Sequence, residues 1–203
     1  MLFSMIRDTL RLYLSRLFVL LGVFFAVFLL WQTTKQVPTT GDWQSPFTRL
    51  STAEFNDDLV TVKNVRNFRY NGSETEDSII PNYYDKTYDL TKLTKVWYVS
   101  EPFKNNNLAA HTFLSFEFSN GDFLSITIEA RKLKGQKYSL AKGAIRTYPL
   151  IYIAADERDA FLVRTNTRKG ELYLYPVRTE KGRELFVSLL EEMNSLAIKP
   201  QWY

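Results

Sequence analysis

The distribution of apolar and polar positions divides the chain into two unlike parts. Across residues 17–31 no side chain except the terminal Trp31 indole carries a charge or a hydrogen-bonding group. At roughly 1.5 Å per residue this run covers about 22 Å of a ~30 Å hydrocarbon core. Leu12, Tyr13 and Leu14 extend it, and Arg16 is placed to snorkel toward the headgroups. From residue 59 onward the pattern becomes short alternating stretches broken by polar turns. Residues 59–70, 93–99, 148–154, 161–164 and 171–177 read as strands, since a period of two marks half-buried strands. Residues 83–90 are aromatic-rich and read as irregular, and residues 71–77 as a solvated acidic loop.

Over residues 180–197 the period turns helical. Leu185, Leu189, Met193 and Leu196 fall on one face, Thr179 suits an N-cap, and Pro200 stops the helix. The expected fold class is α+β: an N-terminal transmembrane helix, then a mainly antiparallel sheet with a C-terminal helix. The expected domains are a cytoplasmic tail and anchor over 1–36, a tether over 37–58 and one domain over 59–203.

Arg7, Arg11 and Arg16 precede the apolar run, and only Lys35 follows it closely. The positive-inside rule then places the N-terminus in the cytoplasm and the domain outside, with the membrane as a partner through one helix. A cleaved signal peptide is the competing reading. Gln32-Thr33-Thr34-Lys35 offers no Ala-x-Ala-like site, which favours an uncleaved single-pass anchor.

Composition narrows the chemistry. The chain has 203 residues, a formal net charge of +4, one histidine and no cysteine. Basic residues alternate with acidic ones and form no stripe, which argues against nucleic acid. Lack of cysteine excludes a disulfide framework within these residues. A zinc site would need three carboxylates beside His111, so no metal and no cofactor is expected. Lys132 to Lys137 reads as a basic solvated loop, and Asp156-Glu157-Arg158-Asp159 as a corner where Arg158 pairs a carboxylate.

The single histidine opens the run Ala110-His111-Thr112-Phe113-Leu114-Ser115-Phe116-Glu117-Phe118, which reaches an Asn120-Gly121 turn. A two-residue turn pairs Phe118 with Phe123 and mixes polar and apolar residues on both faces. A three-residue loop with Gly121 left-handed in a bulge pairs Phe116 with Leu124 and Leu114 with Ile126, giving one apolar face. Register follows the hydrophobic pattern, so the bulged form is expected. His111 then faces Glu129, with Cβ atoms about 4.5–5.5 Å apart. In that geometry His111 is the candidate base and Glu129 its orienter; the alternative is a surface cross-strand pair with no task. Ser115, on the same face, is about 7 Å away, too far for a direct bond.

Several consecutive segments resemble one family. They are Asn64-Val65-Arg66-Asn67-Phe68-Arg69-Tyr70, Tyr84-Asp85-Lys86-Thr87-Tyr88-Asp89-Leu90, the His111 run, and Ser125-Ile126-Thr127-Ile128-Glu129-Ala130-Arg131-Lys132. Ala155-Asp156-Glu157-Arg158-Asp159, Leu172-Tyr173-Leu174-Tyr175 and Pro200-Gln201-Trp202-Tyr203 complete the set. In this order they are similar to the Lnb N-terminal periplasmic domain family of bacterial envelope proteins. The resemblance implies a permuted papain-like domain in the periplasm, and with the anchor read from the apolar run it places the protein at the bacterial inner membrane. It also implies a thiol-dependent acyl transfer or amide hydrolysis on lipoprotein, lipid or envelope peptide. His111 matches the family's histidine. The family's cysteine follows a Trp-Tyr-Asn segment, whereas these residues stop at Trp202-Tyr203, so the expected domain is incomplete just before its nucleophile.

Two functional classes therefore stand side by side. One is an acyltransferase or amidohydrolase lineage using His111 and Glu129, inactive as given for want of a thiol. The other is a binding or scaffold module that uses the same cleft without chemistry.

Overall fold

The computed structural model describes residues 2–103 and 106–203. It divides into two units, Met1–Val37 and Pro38–Tyr203. The first is helix α1 (Leu2–Thr34). Its stretch Leu10–Thr34 is long and apolar enough to cross a membrane. Phe18, Leu20, Phe24 and Leu30 are exposed around its circumference, so the helix has no polar face there.

Among the described residues the second unit holds strands β1 (Thr52–Asn56), β2 (Leu59–Arg66), β3 (Arg69–Tyr70), β4 (Ile79–Ile80) and β5 (Tyr83–Asp89). Strands β6 (Leu93–Phe103), β7 (Asn106–Phe118), β8 (Phe123–Ala130), β9 (Leu150–Ala155) and β10 (Tyr173–Val177) follow, with helices α2 (Leu140–Ala144), α3 (Glu157–Leu162) and α4 (Gly182–Ile198). The main sheet runs β1-β2-β9-β8-β7-β6-β10, with β5 on the other edge of β2; β3 and β4 form a separate ribbon. Its pairings are antiparallel apart from one parallel contact, Arg66 with Ala155. The fold is α+β.

The hairpin adopts the bulged register. Phe116 faces Leu124 and Leu114 faces Ile126. Gly121 takes φ +83°, a conformation that a Cβ disfavours. Its N–H donates to the Phe118 carbonyl at 3.0 Å, and the Phe118 N–H donates to Asp122 at 2.9 Å. A second bulge, in β2 between Val62 and Val65, places Asn64 at φ 56°. Asn tolerates that region, and its side chain donates to the Leu50 carbonyl at 3.0 Å while its N–H donates to Asp85 at 2.9 Å.

Both faces of the sheet are covered, where the sequence pattern predicts burial of one. On one face α4 packs Phe186, Leu190 and Met193 against Val96, Phe116, Phe118, Leu124 and Ile126. On the other, α3 and the π-helical turn Val163–Thr167 cover Val99, Phe113, Ile153 and Ala155. Ser115, Ser125 and Thr127, polar in pattern, are therefore buried.

Several local expectations are corrected. Residues 161–164 are helical: Asp156 N-caps α3, accepting from the Arg158 N–H at 2.9 Å, and of the apolar residues that mimic a strand Val163 is buried, Phe161 half-buried and Leu162 exposed. Residues 83–89 form a regular strand along β2, in keeping with their Tyr and Thr content. α4 starts at Gly182 behind a 3₁₀ turn, Thr179–Lys181, so the N-cap position is Lys181 rather than Thr179. Its buried side chains are Phe186, Leu190, Met193 and Leu196, with Gly182 buried at its start and Leu185 and Leu189 at the margin. Within residues 37–58, read as a tether, Trp43 and Phe47 are buried and β1 pairs with β2. Arg131 pins this segment, donating to the Phe47 carbonyl at 3.0 Å beneath the Trp43 ring.

Candidate functional site

His111 and Glu129 lie on the α3 face, where β7 and β8 begin to part. The ladder between them ends at Phe113–Thr127, while β8 continues against β9 as far as Ala130–Leu150. The parting strands open a cleft of about 520 Å³ lined by His111, Thr112, Ile128, Tyr138, Leu189 and Tyr203. The segment Pro200-Gln201-Trp202-Tyr203 reaches it along the start of β9. Trp202 bridges to Pro149, and the Tyr203 N–H donates to the Tyr148 carbonyl at 2.9 Å. A second, more polar cleft of about 560 Å³ lies on the far side of Glu129, lined among others by Arg66, Glu74, Lys132 and Arg164. Tyr138 borders both.

The predicted facing of His111 and Glu129 is present in the geometry. His111 Nε2 is 3.3 Å from Glu129 Oε1 and 2.9 Å from Thr127 Oγ1. The Thr127 hydroxyl donates to the same Glu129 oxygen at 3.4 Å. With that proton committed to a carboxylate, Thr127 Oγ1 accepts from Nε2–H. Nε2 is then the protonated nitrogen, and Nδ1 keeps a lone pair. The pair is not a surface one: the side chains are 16% and 24% exposed. Burial is the main influence on the imidazole and pushes its pKa below the ordinary value. Glu129 draws it back up and Arg164 pushes it down again. The neutral form, the one able to accept a proton, is favoured.

Two residues absent from the sequence reading complete this centre. Glu101 of β6 faces His111 across the β6–β7 ladder and is buried. Arg164, fully buried in the π-helical turn, lies 3.0 Å through Nε from Glu101 Oε2 and 3.6 Å through Nη2 from Glu129 Oε1. The Glu101 contact is off the N–H axis, a close ion pair without a straight hydrogen bond. Arg168 joins Glu101 at 3.1 Å and clasps Glu74 through Nε and Nη2 at 2.6 and 2.9 Å. Glu74 thus belongs to the network although its loop reads as solvated.

A neighbouring charge pair holds the α3 corner. Asp159, fully buried, accepts from Arg66 Nε at 2.9 Å, the Phe68 N–H at 2.8 Å and the Tyr70 hydroxyl at 3.1 Å. Burial is the largest influence and works against the Arg66 charge, but Asp159, Tyr70 and Glu129 together outweigh it and hold the guanidinium protonated. Arg158, expected to pair a carboxylate, instead donates to the Asn67 side-chain carbonyl. Ser115 donates to Glu157 at 2.9 Å, and burial raises the Glu157 pKa above the usual carboxylate value. Ser115 is thus committed to structure. Among the described residues no group of three His, Cys, Asp or Glu side chains is arranged to hold a metal.

The signals for the missed residues were partial. Asp156 followed by Asp159 has the spacing of a helix start, which would have converted residues 157–164 from strand to helix. Extending the β6 alternation past Val99 puts Glu101 on the His111 face. Nothing local marks Arg164 as internal.

Residues 80–203 fit the family model described as Lnb N-terminal periplasmic domain, which spans more than half the chain. No curated protein and no solved structure matches it.

Proposed function

This chain belongs to the Lnb N-terminal periplasmic domain family, and from that premise we propose that it contributes the base and orienter of a membrane-proximal, cysteine-dependent acyl-transfer or amide-hydrolysis site. One observation carries the reading: His111 and the Trp202-Tyr203 segment, which in the family's pattern leads to the cysteine, meet at one cleft with Glu129 behind the histidine. The 203 residues contain no cysteine, so the thiol of this reading is a group outside them.

In this proposal Nδ1 of His111 takes the thiol proton as the sulfur attacks an acyl carbonyl. The imidazolium passes that proton to the departing alcohol or amine, and a thioester remains. An incoming amine or water then loses its proton to the same nitrogen as it displaces the sulfur. Glu129, reached directly and through Thr127, fixes the ring and stabilises the imidazolium. The substrate class is lipoprotein, lipid or envelope peptide. α1 supplies the reason: in this reading it is a single-pass inner-membrane anchor, with Arg7, Arg11 and Arg16 inside and the domain in the periplasm.

The test is the gene product translated through and beyond codon 203, assayed for iodoacetamide-sensitive acyl transfer to a lipopeptide and for amide hydrolysis. His111→Ala is expected to lower the rate by about 10²–10⁴-fold. Activity that survives both alkylation and that substitution overturns the reading. One alternative is a non-catalytic envelope-binding module that uses the same cleft without chemistry. A stop codon directly after Tyr203, with lipopeptide binding and no turnover, would establish it.

A further inference from the structure

We propose that Arg164 is the positioning residue of the His111 centre: from the π-helical turn it spans Glu101 on β6 and Glu129 on β8, the two carboxylates flanking His111 on β7, and so fixes the Glu129 oxygen that holds Nε2. This rests on His111 being the base, and it concerns a residue outside the pair assigned above.

Four observations converge. The first is the shared oxygen. Glu129 Oε1 alone receives His111 Nε2 at 3.3 Å, Thr127 Oγ1 at 3.4 Å and Arg164 Nη2 at 3.6 Å. A carboxylate rotated away from Arg164 would also leave His111. The second is immobility. Arg164 Nη1 donates to the Ala160 carbonyl at 2.6 Å, and the guanidinium carbon lies 4.5 Å from the centre of the Phe113 ring. The planar fork is thus held on its flat side and at its end. The third is the backbone. A π-helical turn adds a residue to a helix and costs helical regularity, and such turns concentrate at functional sites. Here the turn carries Arg164 inward, and its carbonyl accepts from the Gly170 N–H at 2.9 Å. A Cβ at Gly170 would lie 3.3 Å from both that carbonyl and Glu101 Oε1, so the loop return leaves little room for a larger residue.

The fourth is cost. A buried arginine between two carboxylates gives little net stability, because desolvation consumes most of the Coulomb attraction. Stability alone does not account for the arrangement. Arg168 completes it from the solvent side, joining Glu101 and Glu74. The charged and titratable groups facing the imidazole are therefore Glu101 on β6, Glu129 on β8, and Arg164 and Arg168 on the π-helical turn and its end. The Tyr98, Tyr138 and Tyr203 side chains line the cleft.

Because the chain has a single histidine, ring-labelled His111 reports without ambiguity. The experiment is an NMR pH titration of that ring in the full chain in lipid nanodiscs, for wild type, Arg164→Lys, Arg164→Met and Glu129→Gln. Removing the nearby cation and freeing Glu129 both favour imidazolium. Arg164→Met is therefore expected to raise the midpoint by about one pH unit and Arg164→Lys by less. Glu129→Gln is expected to lower it, and to abolish the response to Arg164→Lys in the double variant. Should Arg164→Met not fold, Arg164→Lys and the double variant decide the matter. Midpoints within about 0.2 unit of wild type for the Arg164 variants, or additive effects in the double variant, overturn the proposal. The readout needs no enzymatic activity. A shifted titration beside an assay indifferent to His111→Ala would remove the catalytic reading and leave the clamp in place.

Discussion

On the α4 face of the sheet, Val96, Phe116, Phe118, Leu124 and Ile126 meet Phe186, Leu190 and Met193, a wholly apolar interface. On the opposite face, at similar depth, lie Arg66, Asp159, Glu101 and Arg164. The same strands serve both: Leu114 and Phe116 point one way, Phe113 and Ser115 the other. Each fully buried aliphatic or aromatic side chain contributes about 1.5–3 kcal/mol, whereas a buried ion pair often returns no more than its desolvation costs. We therefore assign stability chiefly to the α4 face and positioning to the α3 face, where His111 sits.

The largest expected effect tests the apolar side. Phe186 is fully buried, with its ring centre 4.8 Å from Phe116 and 5.7 Å from Phe118. Phe186→Ala is expected to cost about 3–5 kcal/mol in urea unfolding, with no shift of the His111 titration in the protein that remains folded. A coupled shift would mean that the faces are not independent.

The charged side gives the next effect, and a sharper one. Asp159→Ala strands Arg66 in the interior and is expected to cost about 3 kcal/mol, while Arg66→Met with Asp159→Leu is expected to recover only part of that loss, because the Phe68 N–H and the Tyr70 hydroxyl still lack their acceptor. Denaturation of the three chains decides it. A double variant as unstable as the single would show that the charges themselves stabilise this face.

At the hairpin that serves both faces, Gly121→Ala forces a Cβ into φ +83° with open space around it, so only backbone strain opposes it. About 1 kcal/mol of destabilisation is expected, read by thermal unfolding. A larger loss would indicate that the register itself had slipped.

The smallest effect is electrostatic. The folded pKa of His111 lies below its value in the unfolded chain, near 6.5, so the unfolded state takes up the proton first. This contribution to stability is fully present above about pH 6.5 and is lost as pH falls from there toward the folded value. His111→Gln is expected to flatten that part of the stability–pH curve. An unchanged slope would place the dependence elsewhere.

Legibility in sequence followed the same division. The hairpin register could be read because Gly121 and the spacing of Phe116, Leu114, Leu124 and Ile126 admit one arrangement with an apolar face, and that arrangement set His111 opposite Glu129. The α4 helix was visible through its period. What escaped was the second covered face. Ser115, Ser125 and Thr127 look solvent-facing until α3 lies over them, and the apolar residues of 161–164 imitate a strand although Asp156 caps a helix. Arg164 is illegible for a physical reason. Its burial depends on carboxylates on two other strands and on one π-helical turn, none of them a local property.

The most direct measurement is the ring ¹⁵N spectrum of the single histidine at pH 7, followed through its titration. It should show a neutral imidazole with the proton on Nε2, and a midpoint below 6.5. A proton on Nδ1, or an imidazolium at pH 7, would contradict the assignment of His111 as a base held from behind by Thr127 and Glu129.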